Sequence, residues 1–312
     1  MAVFTPVSAH ELQHWLTAYD VGDYVDHIAI AEGVENTNYH LITSRGTYVL
    51  TLFEKRVNVA DLPFFMGIMN HLAGQNFPCP QPLPHADGGL FGTLKGKGAC
   101  LVTFLPGAWT RHIQPLHVQQ VGKILATMHG LGKNFQQTRA NTLSLAGWPT
   151  LWAACRPRAD DVHEGLVKEV DDELDFLQRH WPHNLPTGFI HADLFQDNVL
   201  FENDMLTGVI DFYFGCTDFL AYDLAITLNA WCVDARGTLN PTMIAAMMDA
   251  YEQVRPLGID EKKALPIFLR GCSVRFLLTR LYDQLFPAPG AMVTEKNPLE
   301  YFWKLRTWQQ PR

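Results

Sequence analysis

At 312 residues the chain is long enough for a full core and for two domains or lobes. Apolar residues at 47% and charged residues at 18% describe a folded protein, not a disordered one. The net charge of -8 argues against non-specific binding to nucleic acid or an anionic membrane, which both favour clustered Lys and Arg. It leaves room for an anionic nucleotide held by local positive charge and a metal. The six cysteines, Cys79, Cys100, Cys155, Cys216, Cys232 and Cys272, include no CxxC pair, and several lie within apolar runs and read as reduced core thiols. The N-terminal MAVFTPVSAHELQHWL lacks the basic and apolar regions of a secretory signal. No apolar run approaches a membrane span. A cytoplasmic location is expected.

In chain order, residues 8 to 18 read as a short helix. Ser8 can cap it, Glu11 sits three residues later, and Leu12, Trp15 and Leu16 share a face. Strand-like stretches follow at 28–30, 38–42 and 48–53, with a turn at Ser44-Arg45-Gly46 between the last two. Residues 61 to 75 are helical, with Phe65, Met69 and Leu72 on one face. FPCPQPLP, residues 77 to 84, cannot be helix and reads as an extended connector. Strands at 90–94 and 100–105 complete a small antiparallel sheet. Beyond Pro106-Gly107 the chain turns helical. A helix opens at Pro115 and carries Val121, Ile124, Leu125 and Met128 on a stripe. Further helices are expected near 161–180, 221–233, 241–254 and 262–285. The expected organisation is α+β, with a sheet-rich lobe over 1–105 and a helical lobe over 106–312.

The segment GFIHADLFQDNVLF, residues 188 to 201, followed by Val209-Ile210-Asp211, carries most of the chemistry. Asp193 and Asn198 are five residues apart, and Asp193 and Asp211 are eighteen apart. The apolar runs 199–201 and 209–210 read as buried strands, and a carboxylate at the end of a buried strand is costly unless paired. A divalent cation is the usual partner for such an Asp/Asn set. The pattern suits phosphoryl transfer, which needs a positioned nucleotide, neutralised charge and a base for the attacking hydroxyl. Asp193 fits the base, and Asn198 and Asp211 fit the metal. His191 reads as a packing or hydrogen-bonding residue of the loop.

GVENTNY, residues 33 to 39, joins two strands. Gly33 permits close backbone approach, and Asn36, Thr37 and Asn38 could face phosphate oxygens. No P-loop motif occurs in the chain. Asp223 in AYDLA reads as a structural carboxylate bonding to loop amides, and Asp218 as a cap for the same helix. Arg275, Thr279 and Asp283 share a helical face. Arg275 could hold a carboxylate and Asp283 an ammonium; the alternative is a solvated or internally paired face. Tyr213, just past Asp211, joins them as a candidate for the acceptor site.

HADLFQDNVLF, IDF at 210–212 and YDLA at 222–225 resemble the aminoglycoside phosphotransferase and choline kinase superfamily. AEGVENTNYHL at 31–41, YVLTLFEKR at 48–56, LATMH at 125–129, FLLTRLYD at 276–283 and KNPLEYFWKLR at 296–306 resemble the homoserine kinases of that type. The resemblance covers nearly the whole chain. It implies a bilobal protein-kinase-like fold, with ATP and Mg2+ used to phosphorylate the side-chain hydroxyl of L-homoserine. It implies Asp193 as catalytic base, and Asn198 and Asp211 as metal ligands. Residues 33–38 would replace the glycine-rich loop, and Thr103, Phe104 and Leu105 would form the adenine-binding hinge.

One departure stands out. Where the third strand of kinases presents Lys to the phosphates, this chain has Thr51, and the helix over 61–75 has no Glu to pair with such a Lys. Lys55 has the parity of Thr51 but lies ~13 Å further along an extended strand. Lys55 or Arg56 could reach in, or metal and loop amides could do more of the neutralising. Two other readings are a same-fold kinase for an amino alcohol or aminoglycoside, and a silent nucleotide-binding protein.

Overall fold

The computed structural model describes residues 4–30, 36–54, 57–287 and 296–310. Helix α1 (Ala9–Leu16) starts where Ser8 accepts from the Glu11 amide at 3.3 Å while Glu11 accepts from the Ser8 amide at 2.8 Å. This reciprocal box satisfies donors that the first turn leaves orphaned. Strands β1 (Tyr24–Ala29), β2 (Thr37–Thr43), β3 (Gly46–Leu52), β4 (Gly92–Leu94) and β5 (Lys97–Thr103) form one antiparallel sheet in the order β1-β2-β3-β5-β4. The β2–β3 hairpin closes with Thr43 opposite Gly46, so the turn expected at residues 44–46 is present.

The sheet is covered on both faces, and side-chain parity decides which residue meets which cover. Leu50, Leu52, Ala99 and Leu101 pack with Leu12 and Leu16 of α1 on the outer face. Phe53, Cys100 and Val102 point the other way into the main core, with Phe65 and Met69 of helix α2 (Leu62–Ala73). Thr51 shares the parity of Phe53 and therefore faces inward.

The rest is mostly helical: α3 (Pro115–Gly132), α4 (Trp148–Cys155), α5 (Ala159–Val162), α6 (Leu166–His180), α7 (Leu220–Trp231), α8 (Pro241–Val254), α9 (Ile259–Leu285) and α10 (Leu299–Gln309). Every residue of α7 is buried, including the polar Asp223, Thr227 and Asn229. The expected helix over 161–180 is divided. Gly165, at φ 80, breaks it into α5 and α6. Helices α4 and α10 were not anticipated: Pro149 sits in the first turn of one, and the other is crowded with aromatics.

Two small hairpin-like ladders position the site. β6 (Thr187–Ile190) pairs with β9 (Cys216–Phe219), and β7 (Val199–Glu202) pairs with β8 (Met205–Val209). The pairings are nested. Ile190 lies opposite Cys216 and Val199 opposite Val209, so the loop 191–198 and the loop 210–215 leave paired strand ends and face each other. An eighteen-residue sequence separation thereby becomes a spatial neighbourhood.

Helices α3 and α8 pack at backbone distance. A Cβ on Gly122 would overlap the Met247 carbonyl oxygen and stand 3.2 Å from its carbonyl carbon. Gly122→Ala is therefore expected to destabilise the fold by about 1–3 kcal/mol through overpacking, despite the better helix propensity of Ala. Chemical denaturation of the variant against wild type checks this; an unchanged midpoint would show that the helices can separate without cost.

Candidate active site

Asp223, in the first turn of α7, is fully buried and sits behind the loop 191–198. Its carboxylate accepts from the amides of His191 and Ala192, both at 2.8 Å, and from His129 Nε2 of α3 at 3.0 Å. Burial pushes the Asp223 carboxyl up. The His129 hydrogen bond, the nearby imidazoles and the His191 amide outweigh that and hold it below the usual carboxylate range. Ala192 has φ 63, a left-handed conformation unusual for a residue with a Cβ. The Asp223 carboxylate stabilises that turn by taking its amide. Behind His129, Nδ1 faces the Tyr251 hydroxyl at 2.8 Å, which accepts from Arg255 at 3.0 Å. Arg255 pairs with Glu261 at 2.7 Å, and Glu261 also accepts from the Gly258 amide at the start of α9. The buried chain of contacts thus links α7, α3, α8 and α9.

His191 is fully buried. Its Nε2 donates to the Ile210 carbonyl at 3.0 Å, and its Nδ1 accepts from the Asp193 amide at 3.3 Å. Burial lowers its pKa, consistent with the neutral tautomer that this pairing requires. The imidazole ties the Asp193 loop to the residue preceding Asp211. The expectation that His191 holds the loop by hydrogen bonding matches this geometry.

Asn198 Nδ2 donates to the Asp193 carbonyl at 2.7 Å and to its carboxylate at 3.2 Å. Both partners are acceptors, which fixes the amide orientation and leaves Oδ1 as the outward oxygen. Asp211 is left-handed, at φ 63 and ψ 64, and exposed, directly before the buried Phe212. A carboxamide oxygen and a carboxylate are hard donors that suit Mg2+. Among the described residues no group of three or more His, Cys, Asp or Glu could hold a metal alone. Such a pair fits a cation that completes its shell with phosphates and water.

On the sheet side, Gly33 and Lys55 lie outside the described residues. Asn36 accepts from the Glu54 amide at 3.2 Å. Thr37 is fully buried, donates to Glu54 and accepts from the Phe4 amide, so its hydroxyl is committed to structure. Asn38 accepts from the Thr51 hydroxyl at 2.8 Å on the inward face. The Tyr213 ring packs edge-on against Phe53 at 4.9 Å and Phe65 at 5.8 Å, with its hydroxyl beside Thr51 and Cys100. Tyr213, a candidate for the acceptor site, thus reaches across to the sheet beside Thr51. The Glu54–Lys97 ion pair follows the opposite parity and faces away. Thr103 ends β5, its Oγ1 accepting from the Gln81 amide at 2.9 Å. Phe104 is exposed beside His40, and Leu105 is half-buried.

Sequence reasoning missed Arg139. It donates to Asp61, at the start of α2, at 2.7 Å and to the Gly215 carbonyl at 3.1 Å, and stacks over Phe65. This cation ties the helix below the sheet to the loop after Asp211. A lone Arg in an irregular loop gave no sequence signal. Arg275 is 2% exposed, so the solvated reading of its face does not hold. Its guanidinium lies 5.9 Å from the Phe214 ring and within electrostatic reach of Asp193. Asp283 is eight residues, or about 12 Å of helix rise, further on and beside Cys155 of α4. The structure brings Arg275 to the loop and leaves Asp283 away from it.

Asp223→Ala is expected to cost about 3–5 kcal/mol of stability, because it leaves His129 and two loop amides unpaired in the core. The folded pKa is depressed, so the contribution is present above the unfolded value and lost as pH falls through the folded one. The stability gap between wild type and variant should be flat near neutrality and narrow only below about pH 4. Urea titrations at several pH values check both; a gap that widens on acidification contradicts the assignment.

The chain is similar to known proteins along nearly its whole length. Residues 26–257 match the family model described as the phosphotransferase enzyme family. The chain is 53% identical to a Sinorhizobium fredii protein named homoserine kinase, over 98% of this chain and 94% of that one. It is 52% identical to a Paramagnetospirillum magneticum protein of the same name, over 99% and 97%. Among solved structures, an amicoumacin kinase in complex with AMP-PNP matches with TM-score 0.70 at 14% identity, covering 97% of this chain and 93% of that one. A spectinomycin phosphotransferase in complex with ADP matches with TM-score 0.69 at 17% identity, covering 98% and 96%. At such identities the structures speak to fold, while the closer relatives speak to kinship. The chain belongs to the phosphotransferase enzyme family, within the group whose curated members are homoserine kinases.

Proposed function

We propose that this chain transfers the γ-phosphoryl group of ATP to the side-chain hydroxyl of L-homoserine, giving O-phospho-L-homoserine and ADP for threonine biosynthesis. The observation that carries the reading is 53% identity to a homoserine kinase over 98% of the chain. The Asp193–Asn198–Asp211 arrangement supports the chemistry.

In this reading, residues 1–105 hold the nucleotide and 106–312 carry the catalytic loop and the acceptor. Backbone groups of Thr103, Phe104 and Leu105 receive adenine. Asn38 and the loop amides before it face the phosphates, with Lys55 a further candidate. Asp193 orients the acceptor hydroxyl and takes its proton as the oxygen attacks the γ-phosphorus. The bond to the β-phosphate bridging oxygen breaks and ADP leaves. Asn198 and Asp211 would hold Mg2+, which when bound neutralises phosphate charge. Asn198 also restrains the Asp193 carboxylate at 3.2 Å, so the base is placed before substrate arrives. Among the described residues no helix is long and apolar enough to cross a membrane. A cytoplasmic site, where ATP is at hand, is part of the proposal.

An ADP-release assay with Mg2+ and a panel of amino acids, amino alcohols and aminoglycosides tests the acceptor. L-homoserine is expected to give the highest kcat/KM; turnover of an amino alcohol or aminoglycoside but not L-homoserine rejects it. Asp193→Asn is expected to lower kcat by about 10³-fold while ATP affinity stays within about threefold. Substantial residual turnover in that variant would mean that another group takes the proton.

A further inference from the structure

Among the described residues four buried side-chain atoms lack a hydrogen-bond partner: Arg275 Nε, Arg275 Nη1, Tyr222 Oη and Tyr301 Oη. Their positions are related. Tyr222 and Arg275 lie within electrostatic reach of each other, and both reach Cys272, as does Tyr301. Arg275 and Tyr301 also reach Asp193. The orphaned groups therefore gather behind the proposed base, where α7, α9 and α10 meet.

Such a cluster needs a reason. A guanidinium cannot shed its charge, and its buried N–H groups are costly without acceptors. Native proteins leave few buried polar groups unsatisfied. Phe214 at 5.9 Å and Phe276 at 4.7 Å offer ring faces to Arg275, but a ring face does not accept in the guanidinium plane. Asp193, Asp218 and Asp223 are near enough to balance the charge at range: each is felt by Arg275 or its immediate neighbours. None of them is hydrogen-bonded to the open Nε or Nη1 donors. An acceptor oxygen supplied from outside the chain would satisfy them.

Resting on the homoserine kinase reading, we propose that Arg275, assisted by the Tyr222 hydroxyl, receives the α-carboxylate of the acceptor. The acceptor class is thereby narrowed to an amino acid with a side-chain hydroxyl. One molecule with its hydroxyl at Asp193 presents its carboxylate a short carbon chain away, on the side where Arg275 lies. Half-buried Asp218, close to Tyr222 and Arg275, supplies the negative charge that the α-ammonium needs. Asp283, beside Cys155, is not part of this group. An amino alcohol without a carboxylate leaves the Arg275 donors unsatisfied and is discriminated against for that reason.

The test uses the full chain and two acceptors, L-homoserine and 3-aminopropan-1-ol. Arg275→Met keeps the side-chain volume and removes the charge. The ratio of kcat/KM for L-homoserine over that for 3-aminopropan-1-ol is expected to fall about 100-fold, chiefly through the KM for L-homoserine. A ratio that stays within about threefold overturns the assignment even if both activities drop. Wild-type enzyme that binds ATP and phosphorylates neither acceptor overturns the functional reading and this assignment with it. Wild-type protein alone provides a second measurement. L-2-Aminobutyrate, with both charges and no hydroxyl, is expected to inhibit competitively against L-homoserine, and propylamine at equal concentration is not. Equal inhibition by the two overturns the assignment whether or not the variant folds.

Discussion

A carboxylate buried without water has few tolerable arrangements, and Asp223 occupies one of them. It accepts from two consecutive loop amides and an imidazole, so its charge is spread over three donors. That arrangement explains why Ala192 can stay left-handed and why the backbone turns sharply before Asp193. It also explains the depth of the scaffold. His129, Tyr251, Arg255 and Glu261 continue the hydrogen bonding through three helices to the cap of α9. The proposed base is therefore positioned by the interior of the helical region together with His191 and Asn198 of its own loop.

The sheet side solves a different problem. Kinases of the wider fold clamp phosphates with a Lys on the third strand, and this chain has Thr51 there. The hydroxyls of Thr51 and Tyr213 and the Asn38 amide occupy that region of the inward face. Arg139 joins α2 to the chain after Asp211. The sheet side also shares one apolar core with the helical region, Phe53, Cys100 and Val102 packing in the same cluster as Val209 and Phe212.

Much of this was legible in the residues. Alternation and turn chemistry located the hairpin at 44–46, because a period of two has few competing explanations. Pro115 and the apolar stripe of Val121, Ile124, Leu125 and Met128 located α3. The interval between Asp193 and Asp211 was readable as a phosphoryl-transfer pattern, but the nested pairing of β6 with β9 and β7 with β8 that brings the two loops together was not. Four- and five-residue strands paired across a loop carry too little local pattern. Helices α4 and α10 escaped because Pro and aromatic residues mask helical periodicity in short segments. Nothing local to Tyr213 foretold that its ring would pack against Phe53 and Phe65 on the sheet side.

What the sequence determined by itself was the set of chemical groups and their order: an Asp, Asn and Asp at fixed intervals, a missing Lys, and an Arg on a helix. Those intervals survive folding because local loop geometry follows from neighbouring residues. Tertiary structure alone decided where Arg275 and Asp283 point, since a helix face is defined only by what packs against it. It buried Arg275 behind Asp193 and left Asp283 beside α4, separating two charges that helical spacing had placed on one face. Burial is a property of the whole packed chain, and it gave Asp223, read from the sequence as bonding to loop amides, a further partner in His129 of α3.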